Sequence, residues 1–528
     1  MRLGIYCGSF NPVHVGHIRI AKECIRQKLV DKVMIIATGS YWDKKDLMPL
    51  KMRLDMLRLV SNKNIIIDDK YNDIPYTYQI FRKLKEDRPD DEFVFILGAD
   101  NLLKFEDWKE YKEILKYDFI VVGREDIDVA EQMKRLHKEN YVILDVEKMD
   151  ISSTFIRNNL HDYEAVKDMV DEKVYRYLLN MEKVMTQHEI TNRHELLDEK
   201  GHLKEVGYAK SLILDYDRSS IKANSLRIKE WDYYLIYNDR YAVALTVDDN
   251  SYMALDSISL IDFEKKWEHT NSPMKFMTLG KRNFPVSSKS GDVKGEGKDY
   301  KIEFIKKENE RILNFQMDNF LDGKPIGGSI SLKDPDDESM VIVTPYKESK
   351  VHFYYNQKIN CMPASGKVSF DGRDYIFDQS DSFGTLDWGR GVWTYKNTWY
   401  WGSASRMIDG HRFGFNIGYG FGDTSAASEN MLFYDGKAHK LSHVTFNIPL
   451  KDGKEDYLKP WTFTSDDGRF EMDFEPVLDR ASNTDFVILG SDQHQVFGKY
   501  SGKAILDDGK VIEVKDFMGF AEKVTNKW

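Results

Sequence analysis

Near residue 185 the spacing of apolar residues changes, and no single sheet can accommodate both patterns. Up to about Lys183, short β-branched runs (LGIYCG, KVMIIAT, NIIID, EFVFIL, DFIVVG and YVILD) alternate with amphipathic stretches such as KMRLDMLRLV and TYQIFRKLKE. Strands that take turns with helices predict a parallel sheet covered on both faces, a Rossmann-like doubly wound α/β fold. Ligands then belong at the carboxyl ends of the strands. After His188 the segments VHFYYNQKI, GKVSFDGRDYIFD, NTWYWGSAS and RFGFNIGYGFG are aromatic and broken by Gly, Asp and Asn turns. That pattern predicts an all-β unit, barrel or sandwich. Two domains are therefore expected, residues 1–185 and residues 186–528, with Met185 as the seam of a fusion.

At 528 residues and 41% hydrophobic composition, the chain is long enough to bury several cores. No apolar run approaches the roughly 20 residues that span a bilayer. The start MRLGIYCGSF has no signal-peptide h-region, so a cytoplasmic protein without membrane contact is expected. The net charge is -11 and neither half carries a basic excess, which argues against a nucleic-acid partner. Cys7, Cys24 and Cys361 fit neither a zinc knuckle nor a disulfide framework and read as free thiols.

The chemistry-bearing segment of the first half is Gly8-Ser9-Phe10-Asn11-Pro12-Val13-His14-Val15-Gly16-His17, which follows the first strand and opens a helix. Such a loop presents free backbone N–H groups and a positive helix end to phosphate. His14 and His17, three apart, add donors for oxygens that gather charge as pyrophosphate leaves. A zinc pair or a satisfied core pair is the competing reading, but no Cys or third His accompanies them, and no resident metal site is expected. A second element, Ile151-Ser152-Ser153-Thr154-Phe155-Ile156-Arg157, follows the last strand. A Ser or Thr caps a helix start there, and Arg157 one turn on would face an anion.

GSFNPVHVGH together with ISSTFIR resembles the nicotinate- and nicotinamide-nucleotide adenylyltransferases of the HxGH nucleotidyltransferase superfamily, over Met1 to about Lys183. Tyr76-Thr77 before a helix, Gly98-Ala99-Asp100 at a strand end, Trp108 and Arg124 extend the likeness. The resemblance implies transfer of AMP from ATP to nicotinate or nicotinamide mononucleotide, with Mg2+ bridging phosphate oxygens. It implies catalytic roles for His14, His17 and Arg157. Gly8, Ser9, Phe10, Gly98, Asp100, Ser152 and Ser153 would bind ATP, with Asp100 near the ribose or magnesium. Thr77, Trp108 and Arg124 would bind the mononucleotide, Trp108 by stacking on the pyridine ring. Cys7 and the loop YWDKKDL depart from the family pattern and leave Lys44 or Lys45 as the phosphate lysine. The alternative is another HxGH enzyme, a pantetheine-phosphate adenylyltransferase or a cytidylyltransferase, which would share the histidines but not the other segments.

In the second half, DWGRGVWTYKNTWYWGSAS concentrates Trp388, Trp393, Trp399 and Trp401 with Asp387 and Arg390. Alternating aromatics usually build a β core. The other reading is an aromatic-lined pocket for a hydrophobic or ring-bearing small molecule, with Asp387, Arg390, Trp388 and Glu429 as its candidate residues. This half resembles a bacterial family of unknown function and, more distantly, the paired lipocalin-type barrels of carotenoid hydratases. Three roles stay open for it: a hydratase or cyclase, a hydrophobe binder, or an assembly module.

Overall fold

The computed structural model describes residues 1–39, 47–124, 126–146, 151–485 and 490–527. The chain divides into two compact units, the first formed by Met1–Met181 with Asp507–Lys510 and the second by Glu182–Leu506 with Val511–Trp528. Among the described residues, no helix is long and apolar enough to cross a membrane.

The first unit is a six-stranded parallel sheet built from β1 (Arg2–Gly8), β2 (Lys32–Ala37), β3 (Ile65–Ile67), β4 (Glu92–Gly98), β5 (Asp118–Val122) and β6 (Tyr141–Leu144). Its order is β3-β2-β1-β4-β5-β6. The β-branched runs are continuous rather than alternating because both faces are covered. In β2, Val33 and Ile35 enter one apolar cluster while Met34 and Ile36 enter another. Helices α1 (Val15–Arg26), α2 (Leu50–Val60) and α8 (Glu172–Met185) cover the first cluster, with the short α6 (Ser153–Asn158) and α7 (Tyr163–Val166) beside them, and the one-turn α4 is Tyr111–Ile114. Helix α3 (Thr77–Asp87), the 3-10 segment Ala99–Asp107 and α5 (Val129–Arg135) cover the second. The direction in which successive strands are added reverses between β1 and β4, which pair in parallel register from Arg2–Glu92 to Tyr6–Ile96. A crevice opens at the carboxyl ends of such a pair of strands, because the connections from them leave in opposite directions.

The second unit is all β. Its main sheets, of 14 and 9 strands, are antiparallel throughout the described pairs. Each curls around its own apolar core, one containing Ile236, Leu313, Phe353 and Trp388, the other Phe415, Trp461, Phe474 and Tyr500. A third layer lies between the sheets and takes Tyr233, Leu235 and Tyr237 from one and Trp401, Phe497 and Phe520 from the other. Strand Ile228–Tyr237 therefore buries both faces, with Tyr234 and Ile236 inside its own sheet and Tyr233 and Leu235 against the neighbouring one. The 22-residue strand Ser349–Phe370 turns at a bulge between Ile359 and Met362, where Cys361 adopts a left-handed φ of 60°. A bulge adds a residue on one side of the ladder and bends the strand, which lets one segment serve two parts of a curved sheet.

Candidate active site

The loop from β1 to α1 meets the C-terminal end of β4 at a cavity of about 1250 Å³. That is larger than the ~300–1,000 Å³ of a single small-molecule site and suits two nucleotides side by side. Gly8, Ser9, Phe10, His14 and His17 line one side, and Thr77, Gly98, Asp100, Trp108 and Arg124 line the other. Ten of the residues singled out in the sequence thus converge from loops far apart in the chain.

His14 is the N-cap of α1 in extended conformation, so both imidazoles sit where the helix leaves its first N–H groups unpaired. Their rings stack with centroids 3.6 Å apart, and His17 meets Phe10 edge-on at 5.0 Å. The backbone N–H of His14 donates to His17 Nδ1 at 3.2 Å. With Nδ1 accepting, the neutral ring carries its proton on Nε2 as a donor. Burial drives the His14 pKa down to about 4, and burial together with His14 drives that of His17 well below its usual value. Both are therefore neutral donors in the ligand-free protein. Added phosphate charge would favour their protonated forms.

Gly98 allows the chain to turn from β4 into the 3-10 segment, and a Cβ there would stand 2.5 Å from Asp100 Oδ1. Asp100 is half exposed at the cavity wall, with Arg124 Nε 3.5 Å away. Trp108 both packs on the core, stacked 5.0 Å from Phe105, and lines the cavity. Lys109, absent from the sequence reading, lines the same wall with its ammonium 4.6 Å above the Tyr76 ring.

The ISSTFIR element hydrogen-bonds the loop between β1 and α1. Ser152 caps α6 (Ser153–Asn158) by accepting from the Phe155 N–H at 3.4 Å. Ser153 Oγ donates to Pro12 O at 2.9 Å, and Arg157 donates to Asn11 O and Thr154 Oγ1. None of the three is among the cavity-lining residues. In the ligand-free protein the Arg157 guanidinium holds the Asn11 carbonyl and so braces the loop between β1 and α1. Lys45, with Lys44, lies outside the described residues.

A second brace escaped sequence reading. Arg53 of α2 is fully buried and donates to Ser9 O (2.9 Å), Thr38 O (2.8 Å) and Met48 O (2.9 Å). It ties the phosphate loop to the end of β2. The one signal in the sequence is an arginine on the apolar stripe of KMRLDMLRLV, where a surface position would be commoner.

In the second unit, the four candidate residues are not one site. Consecutive strand residues face opposite ways, and on strand Phe383–Val392 this separates Asp387 from Trp388 and Arg390. Trp388 joins the core inside its own sheet, and Arg390, 4.3 Å from the Trp388 ring, donates to Trp231 O, Gly389 O, Pro285 O and Asp232. Asp387 and Glu429 belong to the opposite side, treated below.

The first unit has the architecture of a nucleotidyl-transferring enzyme: residues 5–159 match the family described as cytidylyltransferase-like. Residues 187–528 match the family described as a domain of unknown function, DUF2804. A protein of Clostridium acetobutylicum, described as a probable nicotinate-nucleotide adenylyltransferase, is 32% identical over 185 residues, which are 32% of this chain and 92% of the relative. The chain belongs to the nicotinate-nucleotide adenylyltransferases in its first part and to the DUF2804 family in its second. Among solved structures, the nicotinic acid mononucleotide adenylyltransferase of Plasmodium falciparum complexed with NaAD is 21% identical. It covers 34% of this chain and 94% of its own, with a TM-score of 0.31. Kievitone hydratase of Nectria haematococca, 11% identical, covers 64% of this chain and 98% of its own, with a TM-score of 0.34.

Proposed function

We propose that residues 1–185 form a catalytic domain that transfers AMP from ATP to nicotinate mononucleotide and releases pyrophosphate, and that residues 186–528 form a separate β domain. The observation that carries this reading is the pair of neutral, stacked histidines at the N-terminus of α1, facing a cavity sized for two nucleotides. The mononucleotide phosphate attacks the α-phosphorus of ATP in line, and the bond to pyrophosphate breaks. No side-chain nucleophile is required, since positioning and charge neutralisation suffice. The imidazole N–H groups of His14 and His17 hydrogen-bond the phosphate oxygens that gain charge, and the Gly8–Phe10 backbone lines the nucleotide. Arg157, Ser153 and Arg53 hold that loop in place.

The described residues contain no group of three or more His, Cys, Asp or Glu side chains that could hold a metal ion. That donor set fits Mg2+ carried in on the triphosphate, which typically needs only one or two carboxylates. Asp100 at the cavity wall would supply one, and the ion would neutralise phosphate charge. On the mononucleotide side Trp108 stacks on the pyridine and Thr77 meets its substituent. Lys109 and Arg124 on that wall favour the carboxylate of nicotinate over the uncharged amide of nicotinamide, in keeping with the activity for which the bacterial relatives are named. Assaying pyrophosphate release with ATP, Mg2+ and each mononucleotide tests the proposal, with nicotinate mononucleotide expected to give the higher kcat/KM. Folded protein that turns over neither compound would overturn it.

A further inference from the structure

Between the two sheets of the second unit lies a set of buried ionisable groups that adenylyl transfer does not use. Tyr354, Asn356 and Lys358 alternate onto one face of strand Ser349–Phe370. Lys358 faces Asp387 in register, with its ammonium 2.8 Å from Asp387 Oδ2 and 3.9 Å above the Trp401 ring of the other sheet. Asp387 Oδ1 also accepts from Asn356 Nδ2 at 2.6 Å. From strand Val511–Lys527 of the second sheet, Glu522 accepts from Trp399 Nε1 and from Gln495 Nε2, both at 3.0 Å. Glu429 enters from the connection before strand Met431–Tyr434 and is 1% exposed.

Several of these groups have unused hydrogen-bonding capacity. Glu429 Oε2 and the hydroxyls of Tyr354 and Tyr346 are buried without a hydrogen-bond partner among the described residues, and Lys358 Nζ has only its ion pair with Asp387. Each unpaired buried group costs about 1–3 kcal/mol. Such atoms are scarce in native interiors, so several together mark a place where another molecule completes the bonding. They lie close enough to act on one another: the acidity of Glu429 responds to Lys358, Asp387, Lys440 and Glu522, and that of Tyr354 to Glu429 and Asp387. Burial pushes both Glu429 and Glu522 up to about 7, so near neutrality Glu429 can donate a proton in a hydrogen bond.

The walls are aromatic. Phe421 stacks on Tyr354 at 4.5 Å with planes 7° apart and lies 5.3 Å from Trp399. It is flanked by Gly420 (φ 99°) and Gly422 (φ 75°), backbone states that glycine adopts at little cost. Thus Phe421 fills a flat slot next to the unpaired oxygens. Lys358 is balanced by Asp387, and Lys440 spends its donors on Ser428 Oγ, Asn430 O and Leu441 O. An anionic ligand would find no free counter-charge on these two lysines, and Glu429 and Glu522, pushed up to about 7, are poor partners for a cation below neutrality.

We propose that this inter-sheet space binds an uncharged hydroxyarene, whose ring replaces Phe421 against Tyr354 and whose oxygen is held by Glu429, Lys358 and Tyr354. The reading does not depend on the adenylyltransferase assignment.

The test uses the full chain and 4-nitrophenol as probe, below the probe's own pKa, with binding followed by its absorbance and by calorimetry. Wild type is expected to bind saturably. Phe421→Ala should bind more tightly, while Glu429→Gln and Tyr354→Phe should each weaken binding about tenfold, the worth of one buried hydrogen bond. Circular dichroism identifies variants that fail to fold, and if Glu429→Gln fails, Tyr354→Phe carries the test. Absence of saturable binding to both wild type and Phe421→Ala overturns the proposal. So does binding that the folded polar variants leave unchanged.

Discussion

Replacing Arg53 by methionine keeps the length of the side chain and its apolar packing in α2 but removes the guanidinium. Three backbone carbonyls, Ser9 O, Thr38 O and Met48 O, then lose their donor in a place without exposure to solvent. At ~1–3 kcal/mol for each unpaired acceptor, the gross cost is roughly 3–9 kcal/mol. Part of this returns because a desolvated cation, which burial already disfavours in Arg53, is no longer paid for. The net loss expected is ~3 kcal/mol, felt locally because two of the three carbonyls belong to the phosphate loop and the end of β2. A 1 Å displacement of a positioning loop costs about 100-fold in rate, so kcat/KM should drop by that order. Hydrogen exchange of β1 and α1 amides measures the local stability, and pyrophosphate release measures the rate. Arg53→Lys, which keeps one donor group, should recover part of both. Amide protection and kcat/KM both unchanged in Arg53→Met would refute the bracing argument.

Three further outcomes are expected. His17→Ala should lower kcat by on the order of 100-fold or more while ATP affinity changes little, since the lost donor acts on charge that develops in the transition state; an unchanged kcat removes His17 from the mechanism. Because the folded-state pKa values of His14 and His17 are depressed, the unfolded chain binds protons first, and stability should fall as pH drops below about 6.5, the His14 contribution levelling off near its value of about 4. His14 alone should account for on the order of 3 kcal/mol, and a denaturation profile whose slope in this window is the same in a His14→Asn variant contradicts it. Residues 1–185 expressed alone should fold and retain activity, since all six parallel strands, the histidine pair and both loop braces lie within them; the C. acetobutylicum relative is itself little longer than this segment. A fragment with native circular dichroism but no turnover shows that the β half is needed.

The parallel sheet and most of the nucleotide cavity were legible in the sequence because their signals are local. A buried parallel strand is a short β-branched run, and a phosphate loop is a glycine and histidine pattern between a strand and a helix. All six runs became strands, and Gly8, Ser9, Phe10, His14, His17, Thr77, Gly98, Asp100, Trp108 and Arg124 came together because the segments that carry them leave the carboxyl ends of strands. The all-β character of the second half was legible for the same reason, from turn residues and alternation.

What only the tertiary structure decided was which way polar side chains point once both faces of an element are buried. Sequence reading aimed Arg157 at an anion and passed over Arg53, yet Arg157 holds the Asn11 carbonyl and Arg53 holds those of Ser9, Thr38 and Met48, contacts that depend on how helices lie over the sheet. In the β half, simple alternation could have separated Asp387 from Trp388 and Arg390. Nothing local could have joined Asp387 to Lys358, Glu429 and Glu522, whose meeting depends on the register of strands distant in sequence and on the packing of one sheet against another. An amphipathic strand declares its inner face by polarity. A strand buried on both sides does not, and its chemistry is set by the partners that the fold brings to each face.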